Sequence, residues 1–402
     1  MNMKKTFLRT FSLVLTVALL TVCAAGCNKE TASSTSSQKE ESSMTSSTQI
    51  SSEQASSKED AGVSQTIEYA KYTRLLGRYL PNTSGKGLTL SWTCSGFEFT
   101  FEGTAAYLSM LGSGADALVG VFVDGSKTHT SLLTVNAAMK EYVLAENLTE
   151  GKHTIRVLKL SEAKHCSLIL GNLRVDGKNI QPTEKQERVI EFIGDSITCG
   201  FGTLATSAAA PFSTLEEDAS IAYPYLIASR FNAEAQIIAR SGIGILGNSG
   251  NGNETMPEVY EYAAYKQQNS LFEGKQFDKM TKWADVEHEA ADAIVINLGT
   301  NDYAYHNNTT PFVEEYQKFL KTVRKLNPNA TIIVTYGNMH TALNYRIKLM
   351  VEEMNDKKIH FVDILSEQQY DLKGAGGHPS AADHQKMAQF LTEDMKKILG
   401  WK

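Results

Sequence analysis

The chain has 402 residues, 42% of them apolar and 21% charged. That is the composition of an ordinary globular protein with length for two domains and a sizeable core. The formal net charge is −6 and no basic cluster stands out, which argues against nucleic acid as a partner.

Lys4, Lys5 and Arg9 precede an apolar run from Phe11 to Val22, the pattern of an export signal. The run is too short for a good spanning helix. Ala24-Ala25-Gly26-Cys27 resembles a bacterial lipobox. Residues 1–26 therefore read as a lipoprotein signal peptide with Cys27 as the lipidated residue, and a plain secretory signal is the alternative. Either places the protein outside the cell, on the outer face of a bacterial membrane through a lipid anchor or secreted. Residues 27–66 are rich in Ser and Thr with almost no large apolar side chain, so they cannot bury a core and read as a disordered linker. A flexible tether of that length has an r.m.s. span of about 35 Å.

Residues 67–184 read as all-β. Leu88–Trp92, Phe97–Phe101, Val119–Val123, Ile155–Leu160 and Leu168–Leu170 are short apolar runs, and Asp124-Gly125, Glu150-Gly151 and Asp176-Gly177 read as turns between them. Such punctuation suggests a sandwich, of jelly-roll type. Cys94 and Cys166 lie in this region and either pair or remain buried free thiols. Cys199, further on, reads as packing.

Residues 185–402 alternate strand and helix. Val189–Ile193, Ala235–Ala239, Ala293–Ile296, Ala330–Thr335 and Ile359–Ile364 read as strands. Ala222–Phe231, Phe312–Leu326 and Asp383–Leu399 read as helices. The fold class is α/β with a parallel sheet of about five strands, whose ligand crevice lies at the carboxyl ends of the strands.

The chemistry-bearing stretches fall at those ends. Gly194-Asp195-Ser196 follows the first strand, Ser241-Gly242 the second and Gly299-Thr300-Asn301-Asp302 the third, while His378-Pro379-Ser380 opens the last helix. A serine, an asparagine and a histidine so placed suit a nucleophile, an oxyanion donor and a general base. The Ser196 and Gly242 N–H groups and the Asn301 amide form the candidate oxyanion hole, and Asp195 reads as a local hydrogen-bonding residue. No cofactor is called for. No His and Asp ligands cluster at metal-site spacing.

These four blocks, in this order, resemble SGNH (GDSL-type) esterases. Ala222-Tyr223-Pro224-Tyr225 and Thr335-Tyr336-Gly337-Asn338-Met339-His340, behind an all-β domain, are similar to carbohydrate esterase family 2. The resemblance implies a flavodoxin-like three-layer catalytic domain and removal of acetyl groups from plant polysaccharides of xylan or mannan type. One departure stands out. Three residues before the histidine most SGNH esterases carry an Asp, and this chain has Ala375. Asp383 fits a capping box and Asp371 approaches only if its loop folds back. We therefore expect a Ser196–His378 dyad with a backbone carbonyl orienting the imidazole. Some members of carbohydrate esterase family 2 also lack this acid.

Tyr303, Tyr305, Tyr336, Met339 and Trp401 are candidates for a sugar-stacking wall, with ordinary core or surface positions as the alternative. The expected partner is an acetylated polysaccharide or oligosaccharide, with no obligate protein partner evident. Competing readings are an esterase for bacterial wall polymers or lipids and a non-catalytic sugar-binding surface lipoprotein.

Overall fold

The protein is described from a computed structural model covering residues 61–63, 66–81, 87–249, 254–265, 281–306, 309–364 and 370–402. The export signal, Cys27 and nearly all of the expected linker lie outside these residues. Ala61–Val63 differs from expectation: it forms strand β1, antiparallel to Leu173–Val175. Backbone ladder bonds suffice for this, because the longer strand would otherwise leave N–H and C=O groups unpaired at its edge.

After helix α1 (Thr66–Tyr72), the first domain is built from β2 (Arg74–Leu76), β3 (Leu80–Pro81), β4 (Leu88–Leu90), β5 (Gly96–Gly114), β6 (Ala117–Val123), β7 (Ser131–Val135), β8 (Lys140–Ala145), β9 (Gly151–Lys159) and β10 (Cys166–Pro182). All pairings are antiparallel. The two long strands β5 and β10 run side by side from Cys166↔Gly114 to Pro182↔Phe99, with three register breaks. Asp176-Gly177, which the sequence marks as a turn, sits at one of these breaks inside β10. Gly177 faces Gly103 there, and a Cβ on either would lie 2.1–2.2 Å from the facing strand's carbonyl oxygen. The glycines mark a close strand approach at a bulge instead of a chain reversal. Cys94, Cys166 and Cys199 are free and buried.

The second domain runs β11 (Val189–Gly194), α2 (Ser196–Cys199), α3 (Tyr223–Arg230), β12 (Glu234–Ala239), α4 (Met256–Val259), β13 (Ala293–Asn297), α5 (Thr300–His306), α6 (Thr309–Leu326), β14 (Thr331–Tyr336), α7 (Asn344–Glu353), β15 (Ile359–Asp363) and α8 (Ala381–Leu399). The parallel sheet has the order β12-β11-β13-β14-β15. Every residue of β11 and β13 is buried, as a sheet covered on both faces requires. Side chains alternate between the two faces. Ile193, Ile296 and Val334 meet Phe319, Leu320 and Ile347 on α6 and α7, while Phe192, Val295 and Ile333 meet Ile227, Met387 and Leu391 on α3 and α8. Each such buried side chain stabilises the fold by about 2 kcal/mol relative to exposure. Helix α7 escaped the sequence reading because only Ile347, Met350 and Val351 are buried along it, too few for a clear period.

The chain passes from β11 to β12 on one side and then crosses over to β13 on the other side of β11, so the strand order reverses there. The crevice at such a switch point lies beyond the carboxyl ends of β11 and β13, where Ser196 and Asn301 follow. The first domain is fused to this unit through its core. Trp92 and Ala163 join one apolar layer, and Leu118, Phe122, Leu158 and Leu160 join the other. Buried ion pairs Arg74–Glu234 (3.0 Å) and Arg78–Glu191 (2.9 Å) also cross the junction.

Candidate active site

Ser196 begins α2 immediately after the β11 turn and is 5% exposed. Asp195 caps this helix: its Oδ1 accepts from the Ile197 N–H at 3.0 Å, and its carbonyl accepts from Thr198 and Cys199 at 3.1 and 3.0 Å. The Ile197, Thr198 and Cys199 amides of α2 are thus all taken up by Asp195. Burial pushes the Asp195 carboxyl up to about 7, against the pull of the Ile197 amide.

His378 Nε2 lies 2.8 Å from Ser196 Oγ, and its Nδ1 lies 3.0 Å from the Ala375 carbonyl. The carbonyl can only accept, so it fixes the proton on Nδ1 and leaves the Nε2 lone pair facing the serine hydroxyl. The imidazole is half-buried, less open than the glycine-rich loop suggested. Phe201 stacks 4.3 Å from it, backed by Phe212 at 4.0 Å. Burial lowers the His378 pKa, partly offset by the Ala375 carbonyl and the negative field of Glu162. The ring is therefore neutral at neutral pH and able to accept a proton.

Neither neighbouring acid reaches it. Asp383 accepts from Ser380 N (2.9 Å), Ser380 Oγ (2.8 Å), Asp371 N (2.9 Å) and Leu372 N (3.1 Å), so it caps α8 and ties down the preceding loop. Asp371 is exposed and faces Lys373 at 3.5 Å. Ala375 is fully buried, and its methyl lies against Gly202.

Gly242 adopts φ +83° and its carbonyl accepts from the Ser249 N–H at 2.7 Å. A Cβ there would sit 2.2 Å from Ser249 Oγ and force that hydroxyl to move, and the left-handed φ itself favours glycine. The Asn301 Nδ2 group donates to the Ile243 carbonyl at 2.9 Å and lies 3.4 Å from Asp195 Oδ2. Asp302 received no role from the sequence. Its buried carboxylate accepts from Ile245 N (2.9 Å) and Leu246 N (2.7 Å), fastening the loop after Gly242 to the start of α5. An acid directly behind the asparagine was its one sequence signal.

The aromatic wall is smaller than expected. Tyr303 is 38% exposed at the carboxyl edge of the sheet, with its ring 5.1 Å from His340, and Tyr305 is 55% exposed on the same helix. Tyr336 is fully buried beneath the Gly299 turn, where it cannot stack on a sugar. Met339 packs against the α3/α8 core layer. Trp401 is misplaced altogether. It follows α8, whose nineteen residues carry the chain about 28 Å from the His378 end, and packs on Phe231 and Arg188. His384 is also structural: it is fully buried, accepts from Tyr223 N at 3.2 Å, and burial lowers its pKa to about 3.

A three-layer α/β domain with serine and imidazole in contact at the switch point, beside a glycine loop and an asparagine, has the architecture of an acyl-transferring hydrolase. The family comparisons agree. Residues 190–391 match the GDSL-like lipase/acylhydrolase family and residues 76–183 match the carbohydrate esterase 2 N-terminal domain. The chain belongs to the GDSL-like lipase/acylhydrolase family, in its two-domain carbohydrate esterase family 2 form. It is 32% identical over 326 residues to a cellulase/esterase of Acetivibrio thermocellus, matching 78% of this chain and 38% of that larger protein. It is 27% identical over 332 residues to an acetylxylan esterase/glucomannan deacetylase of Cellvibrio japonicus, covering 78% and 86%. A family two carbohydrate esterase from Clostridium thermocellum, solved in complex with cellohexaose, superposes with a TM-score of 0.72 at 30% identity, covering 82% of this chain and 100% of that one.

Proposed function

We propose that this protein is a serine esterase that removes O-acetyl groups from polysaccharide of xylan or glucomannan type. The carrying observation is the unbroken chain from Ser196 Oγ to His378 Nε2 (2.8 Å) and from His378 Nδ1 to the Ala375 carbonyl (3.0 Å). Ser196 Oγ attacks the acetyl carbonyl carbon as His378 Nε2 takes its proton. The Ser196 and Gly242 N–H groups stabilise the oxyanion, and the Asn301 amide joins them by exchanging its long 3.4 Å contact with Asp195 Oδ2 for the oxyanion, each donor worth roughly 3 kcal/mol in the transition state. Collapse expels the sugar oxygen, which takes the proton from His378 and leaves acetyl-Ser196. Water, deprotonated by the same imidazole, then releases acetate.

The names of the relatives support the substrate class, and the cellohexaose complex supports a β-linked glycan backbone as the ligand. With Cys27 lipidated, the enzyme would work on polymer at the outer face of the membrane. The deciding measurement is acetate release from acetylated xylan, acetylated glucomannan and acetylated peptidoglycan, with Ser196→Ala as the blank. Release from the plant polymers that vanishes in the blank is expected. Release from peptidoglycan alone would move the substrate to the bacterial wall, and no serine-dependent release would defeat the reading.

A further inference from the structure

The mechanism above leaves one buried acid beside the oxyanion loop unused, and it comes from the other domain. Glu162 lies in the connection between β9 and β10 and is completely buried. Its Oε2 accepts from the Ser241 N–H at 2.6 Å, the amide directly before the Gly242 N–H. The Cys199 thiol, at the end of α2, points at the same oxygen from 3.6 Å. One carboxylate oxygen thus touches both segments that frame the oxyanion site, the Ser241-Gly242 turn and the helix opened by Ser196. We propose that Glu162 is a positioning residue that clamps the Ser241-Gly242 turn from behind, so that the β domain completes the oxyanion site of the catalytic domain. This rests on the esterase reading of the same site.

Several contacts hold Glu162 in place. Its own N–H donates to Glu217 Oε2 at 2.7 Å. Lys159, also fully buried, bonds the Ser161 carbonyl and supplies positive charge to the cluster. Burial and the adjacent Glu162 charge push Glu217 well up toward its neutral form, and burial keeps His165, 3.5 Å from Glu162 Oε1, below its usual pKa. The oxygen facing Ser241 at 2.6 Å belongs to a carboxyl group, an acceptor type that in its charged form holds an amide about twice as strongly as a neutral one. The Glu162, Cys199 and Glu217 donor atoms lie close enough to be compared with a metal site. Their chemistry reads better as a hydrogen-bonded clamp, since burial holds the thiol protonated and one oxygen of each carboxylate already accepts an amide.

The test is steady-state kinetics of Glu162→Gln and Glu162→Ala in the full chain with p-nitrophenyl acetate, with melting temperature measured in parallel. Loss of an oxyanion donor lowers kcat by 10²–10³-fold, so a donor set loose but not removed should lower it by about 10–100-fold in Glu162→Ala. Gln keeps an oxygen acceptor without the charge and should fall between, about 3–10-fold down, with KM within twofold for both. A kcat within twofold of wild type in a folded variant, or a loss confined to KM, overturns the proposal. If Glu162→Ala does not fold, Glu162→Gln decides alone by the same criteria. Wild-type activity lost in Ser196→Ala is checked first, so that failure of the esterase reading is separated from failure of this one.

Discussion

The two sides of Ser196 are built from different materials. On the base side, the imidazole is held by a backbone carbonyl and a stack of two phenylalanines, with no carboxylate in contact among the described residues. On the oxyanion side, three buried acids stand behind the framework: Asp195 under α2, Asp302 behind Ile245 and Leu246, and Glu162 behind Ser241. The base must stay neutral until it takes the serine proton, and a carbonyl orients it without adding charge. The donor side must resist movement when negative charge develops. Carboxylates fasten amides strongly and can do so from the face turned away from substrate. At the position where the family resemblance implies an acid, this chain has the Ala375 carbonyl and a stack of aromatic rings.

The largest effects should come from removing the pair itself. Ser196→Ala and His378→Ala should each lower turnover by several orders of magnitude, with the double variant little worse than either. Strongly additive losses would show that the two do not act as a unit.

Next comes an attempt to make the base side resemble the donor side. Ala375→Asp would place a carboxylate where the methyl packs against Gly202. It should cost about 3 kcal/mol of stability, seen as a lower melting temperature, and should not raise turnover. A stable variant with higher turnover would show that the loop can present an acid to His378.

The lowered pKa of His378 sharpens the same contrast. The neutral ring is the active form, so kcat/KM should fall as pH drops through the folded-state value, with an acid limb below the ordinary 6.5. A limb above 6.5 would reveal a carboxylate acting on the ring. Stability should move in the same direction through His384. Its folded pKa of about 3 lies below the ordinary 6.5, so between those values the unfolded chain binds the extra proton and acid destabilises the fold. His384→Asn should flatten that dependence in pH-dependent melting.

The smallest effects concern the two acids near the histidine. Asp383→Ala removes the acceptor of four hydrogen bonds and should cost about 2 kcal/mol in melting experiments, with turnover changed less than tenfold. Asp371→Ala should change neither. A thousandfold loss of turnover in either variant, with folding intact, would mean that the base side holds a hidden acid.

Local rules carried the reading a long way. The buried runs of β11 and β13, the glycine and asparagine that follow β12 and β13, and the capping box from Ser380 to Asp383 are encoded within a few residues of themselves. The missing acid at Ala375 was legible against the family resemblance, and the structure supplied the carbonyl that stands in its place, that of Ala375 itself. The misses share a cause. Tyr336 and Tyr303 are both aromatic residues near strand ends, yet one is sealed under Gly299 and the other exposed, a difference set by packing across elements. Trp401 stands near His378 in sequence but at the far end of α8. Asp176-Gly177 carries turn chemistry that a neighbouring strand converts into a bulge.

By itself, then, the sequence determined the two fold classes, the strand and helix alternation and the positions of the candidate residues Ser196, Gly242, Asn301 and His378 along the chain, because periodicity and motif spacing are local properties. Tertiary structure alone decided that Glu162 and Asp302 stand behind the oxyanion loop. Glu162 comes from 79 residues before Ser241 and Asp302 from 57 residues after Ile245, and no pattern along the chain joins groups that meet only when separate strands are brought together by burial of their apolar faces.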